Sequence, residues 1–175
     1  MAGEFGRRVA DVSGLRLPKH PQHLALGGAA RSVGCRDGDH LVVDGGHSSI
    51  KRARARVVNG EVHRLTSLPA VSTVGVTRED MAGFLAPLIA DAPSTVTMSV
   101  AAYVRDGTPI PDGASIYEGL TPHSLRMLHD GTAAWRGIPD TPPGNSAVIV
   151  LGSWLGVGLG PQSSSILPLS PSFCW

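Results

Sequence analysis

Asn59-Gly60 stands between two runs that read as strands, Lys51 to Val58 and Glu61 to Ser67. A two-residue type I′ connection needs positive φ at both positions, which Asn-Gly tolerates better than almost any other pair. This dipeptide commits the surrounding chain to an antiparallel hairpin. His40-Leu41-Val42-Val43-Asp44 precedes it. A short apolar run ending in an acid and two glycines reads as a buried strand with a tight turn at its carboxyl end. Three antiparallel strands are therefore expected to open the ordered part of the chain.

The pattern then changes period. Thr77 can cap a helix, with Asp80 at the reciprocal capping position. Met81, Phe84, Leu85, Leu88 and Ile89 follow on one helical face, with a kink or early end expected at Pro87. From Thr95 to Val104 apolar and hydroxyl residues alternate, which predicts a strand. Residues 105–124 show no period and read as loop. Leu125 to Leu128 reads as a short strand ending in His129-Asp130, Gly131 to Gly137 as a brief helix, and Ala147 to Leu151 as a last strand before glycine-rich chain up to Gly160. Antiparallel strands followed by alternating helix and strand give an α/β sheet of mixed direction. Residues 1–38 read as a poorly structured leader with at most a helical turn near 22–31, and 161–175 as an irregular tail.

Composition narrows the function. Lys and Arg number 15 against 14 Asp and Glu, a formal charge of +1. Bulk electrostatic binding of nucleic acid needs a basic excess, so no nucleic-acid partner is expected. Lys51-Arg52-Ala53-Arg54-Ala55-Arg56 puts arginines on one strand face and alanines on the other. No aromatic residue interleaves it, so it reads as a solvated outer face. No apolar run is long enough for a membrane span and the start lacks an apolar signal core, so no membrane partner is expected and cytoplasm is the expected location. Two cysteines near opposite ends, Cys35 and Cys174, build neither a disulfide framework nor a zinc site.

Three segments can carry chemistry. Asp44-Gly45-Gly46-His47-Ser48-Ser49-Ile50-Lys51 combines an acid at a strand end with glycines, hydroxyls and a lysine. Its backbone amides can face an anion, and its carboxylate can hold hydrated magnesium; the same residues also suit an ordinary hairpin turn. Asp130 ends a strand where a small-residue helix begins, placed either to accept a proton or to cap the helix. Gly152, Ser153, Gly156 and Gly158 surround a hydroxyl as a second anion loop, or as a hairpin whose glycines serve packing.

Taken in order, the three segments resemble the motifs of actin-like sugar kinases, most closely the ROK (repressor, open reading frame, kinase) group. Asp44, Gly46, Ser48 or Ser49, and Lys51 are similar to that superfamily's first phosphate motif. His129-Asp130-Gly131-Thr132-Ala133-Ala134 is similar to its catalytic aspartate segment, with His129 and Thr132 where the family has asparagines. Leu151-Gly152-Ser153-Trp154-Leu155-Gly156-Val157-Gly158 is similar to its second phosphate motif, with Trp154 at a glycine position. The resemblance covers roughly residues 40–160.

It implies a ribonuclease-H-like mixed sheet forming a single amino-terminal lobe over 39–145, with a phosphate hairpin at 146–160 opening a second lobe. It implies ATP-dependent phosphoryl transfer to a hexose-type sugar. Asp130 would be the base and Asp44 would hold Mg2+ through water. Gly45, Gly46, Ser48, Ser49, Lys51, Gly152, Ser153, Gly156 and Gly158 would bind phosphates. The sequence stops soon after the second phosphate motif, so these 175 residues are expected not to turn over ATP alone. They are also expected to self-associate through exposed apolar surface around Trp154, Leu155 and Leu159. The alternative is a non-catalytic lobe acting as a binding or interaction module.

Overall fold

The computed structural model describes residues 18–34, 36–90, 92, 95–102, 104–109, 117, 120, 125–138, 146–151 and 155–160. The described elements begin with a short turn of 3-10 helix, Pro21–His23, that runs into helix α1, Leu24–Arg31. Strands β1 (Gly38–Gly45), β2 (Ser49–Val58) and β3 (Glu61–Ser72) follow, then helix α2 (Met81–Ile89) and strand β4 (Val96–Val100). A minute hairpin, β5 (Val104–Arg105) and β6 (Thr108–Pro109), precedes β7 (Leu125–His129). Helix α3 (Asp130–Gly137) and a closing hairpin, β8 (Ser146–Leu151) and β9 (Leu155–Gly160), complete the described elements.

The main sheet has the order β3-β2-β1-β4-β7, with β1, β2 and β3 antiparallel and β1, β4 and β7 parallel. This is the mixed sheet that the sequence predicts. Asn59 and Gly60 turn the β2–β3 hairpin with φ of 53° and 76°, as a type I′ connection requires. Strand alternation sends side chains to two helical layers. Leu41 and Val43 join Ile50, Val96, Met98, Val100 and Met127 in a core under Leu85 and Ile89 of α2. Val42, Ala53 and Ala55 face the other way and pack against Leu26, Ala29 and Ala30 of α1. The central strand β4 is buried on both faces throughout.

Several boundaries differ from expectation. The segment read as a leader contains α1, a buried two-turn helix rather than a loose turn. It carries no strong apolar stripe because what it presents is small: Gly28 lies against α3 so tightly that a Cβ there would come within 1.6 Å of the Ala133 carbonyl oxygen. The reciprocal contact is as close, a Cβ on Gly137 meeting the Leu24 carbonyl oxygen at 2.0 Å. Ser32, at the end of α1, donates its hydroxyl to the Gly28 carbonyl at 2.7 Å and accepts from the Arg136 guanidinium at 2.8 Å, while Arg126 donates to its carbonyl at 3.1 Å. The strand expected to reach Val104 stops at Val100. The loop expected over 105–124 contains the β5–β6 hairpin, turned by Asp106-Gly107 with φ of 52° and 81°. Thr77 does accept from the Asp80 amide at 3.2 Å, but the helix starts at Met81 and continues past Pro87 to Ile89. The tail from Pro161 lies outside the described residues.

Adjacent glycines of α1 separate packing from propensity. Gly28→Ala is expected to destabilise the chain by ~1–3 kcal/mol or more, because the helices must part to admit the methyl. Gly27→Ala, whose Cβ meets nothing nearer than 3.8 Å, is expected to gain ~0.5–1 kcal/mol from helix propensity. Urea unfolding of the two variants checks the pair.

Candidate active site

Both singled-out acids lie at the carboxyl end of the parallel strands. Asp44 is the penultimate residue of β1, in register with Ser99 of β4, which is in register with Leu128 of β7. Asp130 follows β7 directly as the first residue of α3. Their strands are not neighbours; β4 lies between them. The alternation that buries Val42 against α1 puts Asp44 on that same face, where α3 also packs.

The first turn is tightly drawn. Gly46 donates its amide to the Ser49 carbonyl at 3.1 Å, and a Cβ on Gly46 would sit 2.8 Å from that oxygen. Gly45 passes so close to β4 that a Cβ would lie 2.6 Å from Met98 Cε. Thr73, just beyond β3, donates its hydroxyl to the His47 carbonyl and its amide to the Ser48 carbonyl, tethering the turn from behind. Ser48 is exposed and Ser49 half-buried. Lys51 Nζ does not stand free: it donates to Asp44 Oδ2 at 3.1 Å across the β1–β2 register. The lysine and the aspartate assigned to separate tasks are thus an ion pair in this structure.

Asp130 is held at the start of α3. Its Oδ1 accepts from the Gly131 amide at 2.6 Å, and His129 Nδ1 accepts from the same amide at 3.2 Å. His129 Nε2 lies 3.4 Å from Asp130 Oδ1. Burial pushes the Asp130 carboxyl above its ordinary value; His129 and the Gly131 hydrogen bond oppose the rise, and the charge of Asp44 adds to it. The two carboxylates therefore feel one another. The hairpin β8–β9 closes over this corner. A Cβ on Gly156 would lie 2.7 Å from Asp130 Oδ1. Gly158 and Gly160 instead press on α3, where a Cβ would reach the Gly131 carbonyl oxygen at 1.9 Å and the Trp135 ring at 1.7 Å. Of the second glycine set, Gly156 faces the acid and Gly158 packs against helix backbone; Gly152 and Ser153 lie outside the described residues. The side chains of Trp154, Leu155 and Leu159 also lie outside them, while Ile149 and Leu151 on β8 are 59% and 61% exposed.

Two further residues belong to this corner without having been singled out. Tyr117 packs against the α2-side core. Its hydroxyl is pushed up to about 12 by burial and then by the charge of Asp130, with Arg78 opposing. Ser99, beside Asp44 in the ladder, is fully buried, and its hydroxyl has no hydrogen-bond partner among the described residues. Tyr117 sits in a stretch with no period; Ser99 reads simply as the polar half of an alternating strand.

The donor set suits a hard, hydrated cation. Asp44 and Asp130 supply carboxylate oxygens whose mutual repulsion a divalent ion relieves. Among the described residues no group of three or more His, Cys, Asp and Glu forms a closed cage. A cation held there would take its remaining ligands from water, as magnesium commonly does.

Asp130 titrates in a direction that can be measured. Its folded pKa lies above the ordinary 3.8, so the folded chain holds this proton more tightly than the unfolded one. Its contribution to stability is complete below the unfolded pKa and is lost as pH rises through the folded pKa. Asp130→Asn, which cannot ionise, is therefore expected to be more stable than the parent at neutral pH, with the difference closing as pH falls through the folded value. Unfolding midpoints from pH 3 to 8 check it.

No family model matches the chain, and no curated protein sequence does. Solved structures do. An inorganic polyphosphate/ATP-glucomannokinase from Arthrobacter sp. strain KM superposes with a TM-score of 0.56 at 17% identity, over 77% of this chain and 62% of that one. A ROK family glucokinase from Streptomyces griseus, solved with glucose and AMPPNP, superposes with a TM-score of 0.52 at 22% identity, over 73% of this chain and 46% of that one. The chain thus spans less than two thirds of the length of either neighbour, and across that span it shares the mixed α/β fold of these two structures.

Proposed function

We propose that this chain is the base-bearing part of a sugar kinase, transferring a phosphoryl group from ATP to a hydroxyl of a hexose-type sugar. The observation that carries the reading is the pairing of Asp44 and Asp130 at the carboxyl end of the parallel strands, with glycine backbone drawn up to each. Phosphoryl transfer needs little from a protein beyond positioning, charge neutralisation and a group to take the hydroxyl proton.

Asp130 is fixed in aim by the Gly131 amide and His129, and its raised pKa makes it a better proton acceptor than an exposed aspartate. Gly156 lets the β8–β9 hairpin approach that carboxylate without a side chain intervening. Gly45 and Gly46 keep the β1–β2 turn flush with β4, with Ser48 and Ser49 beside it. Lys51 can exchange its contact with Asp44 for a phosphate oxygen, which would release Asp44 to its magnesium role. Magnesium held through water there would neutralise charge on the transferred group. The likeness to the two kinases supports the fold that this arrangement requires. The exposed Ile149 and Leu151 are consistent with surface that a second lobe would cover.

Two observations favour a non-catalytic binding module instead. Lys51 is already satisfied by Asp44, and Gly158 is spent on helix packing rather than on a ligand.

The test separates the two. In a chimera that joins residues 1–151 to the remainder of the Streptomyces griseus glucokinase, glucose-dependent ADP release is measured with magnesium and ATP. Asp130→Asn is expected to lower kcat ~100- to 10,000-fold, with AMPPNP affinity retained. Near-full turnover in that variant would assign Asp130 to capping α3. A chimera that binds AMPPNP but never releases ADP would favour the binding module.

A further inference from the structure

Among the described residues, the β2–β3 ladder leaves one face uncovered at the end of the sheet away from Asp130. Ala53 and Ala55 turn inward toward α1, so Arg54 and Arg56 point to the opposite face, where both are exposed. Arg64 stands directly across from Arg56, and Thr66 directly across from Arg54. With Asp39 these four residues line a depression of about 230 Å³. It holds three guanidinium groups and a single carboxylate, and Asp39 is engaged with Arg56 at 3.1 Å. Like charges opposed across a ladder are destabilising. Arg56 and Arg64 are nevertheless set opposite one another, in a concave surface where a ligand can reach both.

We propose that this depression binds a short oligophosphate of two or three phosphoryl groups, at a site separate from the catalytic corner. Asp39 and Asp44 are five residues apart on β1, about 17 Å along a strand. The guanidinium fork matches phosphate oxygens two at a time. Residues two apart on one strand face are about 7 Å apart, and cross-strand partners about 5 Å, an interval that a short phosphate chain spans. A nucleic-acid strand fits less well. The depression is small, no aromatic side chain among the described residues lines it for base stacking, and a net charge of +1 gives no field to hold a long polyanion beyond it. The site does not depend on the kinase reading.

Calorimetric titration of the 175-residue chain with inorganic tripolyphosphate tests it, in the parent, in Lys51→Ala and in Arg54→Thr/Arg64→Thr. Binding is expected to survive Lys51→Ala, which perturbs only the catalytic corner, and to weaken about tenfold or more in the threonine variant. Threonine suits exposed strand positions and removes the opposed charges, so that variant is expected to unfold at no lower temperature than the parent. Should it fail to fold, Arg54→Lys/Arg64→Lys keeps the charge but not the fork, and severalfold weaker binding is expected there. No binding by the parent, unchanged affinity in the arginine variants, or loss in Lys51→Ala instead would overturn the proposal. So would tighter binding of an oligouridylate of about twelve nucleotides than of tripolyphosphate.

Discussion

The approach of backbone to backbone at α3 governs much of this structure. Gly131 and Gly137 are points where a helix admits a neighbour closer than any side chain allows, with Gly28 of α1 and Gly158 of β9 as counterparts. Contacts this short gain from dispersion over many atoms and tolerate no added carbon. They also have a geometric result. A helix clamped between α1 and the closing hairpin cannot tilt, so its first residue, Asp130, cannot wander. The Asp130 corner takes its precision from small residues packed backbone to backbone.

The same corner shows how a carboxylate can be poised without a dedicated partner. Asp130 has one firm backbone donor and a histidine at longer range, and it loses more to burial than these return. Asp44 solves the same problem differently, through Lys51. Two acids at one end of a sheet are thereby held by different partners, one by a backbone amide and a histidine, the other by a lysine. The hydroxyl of Ser99, without a partner among the described residues, lies in register with Asp44, while the buried phenol of Tyr117 packs on the α2 side of the sheet.

What could be read from the sequence follows from how local each signal is. Asn59-Gly60 determines its own turn, and the strands around it alternate because one face of each is buried; both were legible. The acids at the strand ends were legible too, since each terminates an apolar run. Asp106-Gly107 uses the same turn chemistry as Asn59-Gly60, yet its strands are two residues each and too short to display a period. Helix α1 was legible only as a helical turn near 22–31, because its burial rests on glycine and alanine fitting a partner about a hundred residues away, and fit has no periodicity. The order of strands across the sheet, which places β4 between the two acids, is a property of the crossover connections and not of any residue. The glycines of β9 read as anion ligands or as packing, and only their neighbours in space divide Gly156 from Gly158.

The two faces of the sheet also differ in when they can form. Strands β1, β2 and β3 are joined by turns of three and two residues, so their ladder closes at small entropic cost. The seating of α3 on α1 brings Arg31 to the carbonyls of Arg136 and Ile138, contacts that span 105 and 107 residues. Loops of that length close late in folding and open early. The meander of the first three strands is therefore a platform that can exist before the site does, and the seating of α3 is the event that turns a sheet with an acid at its edge into a corner with two.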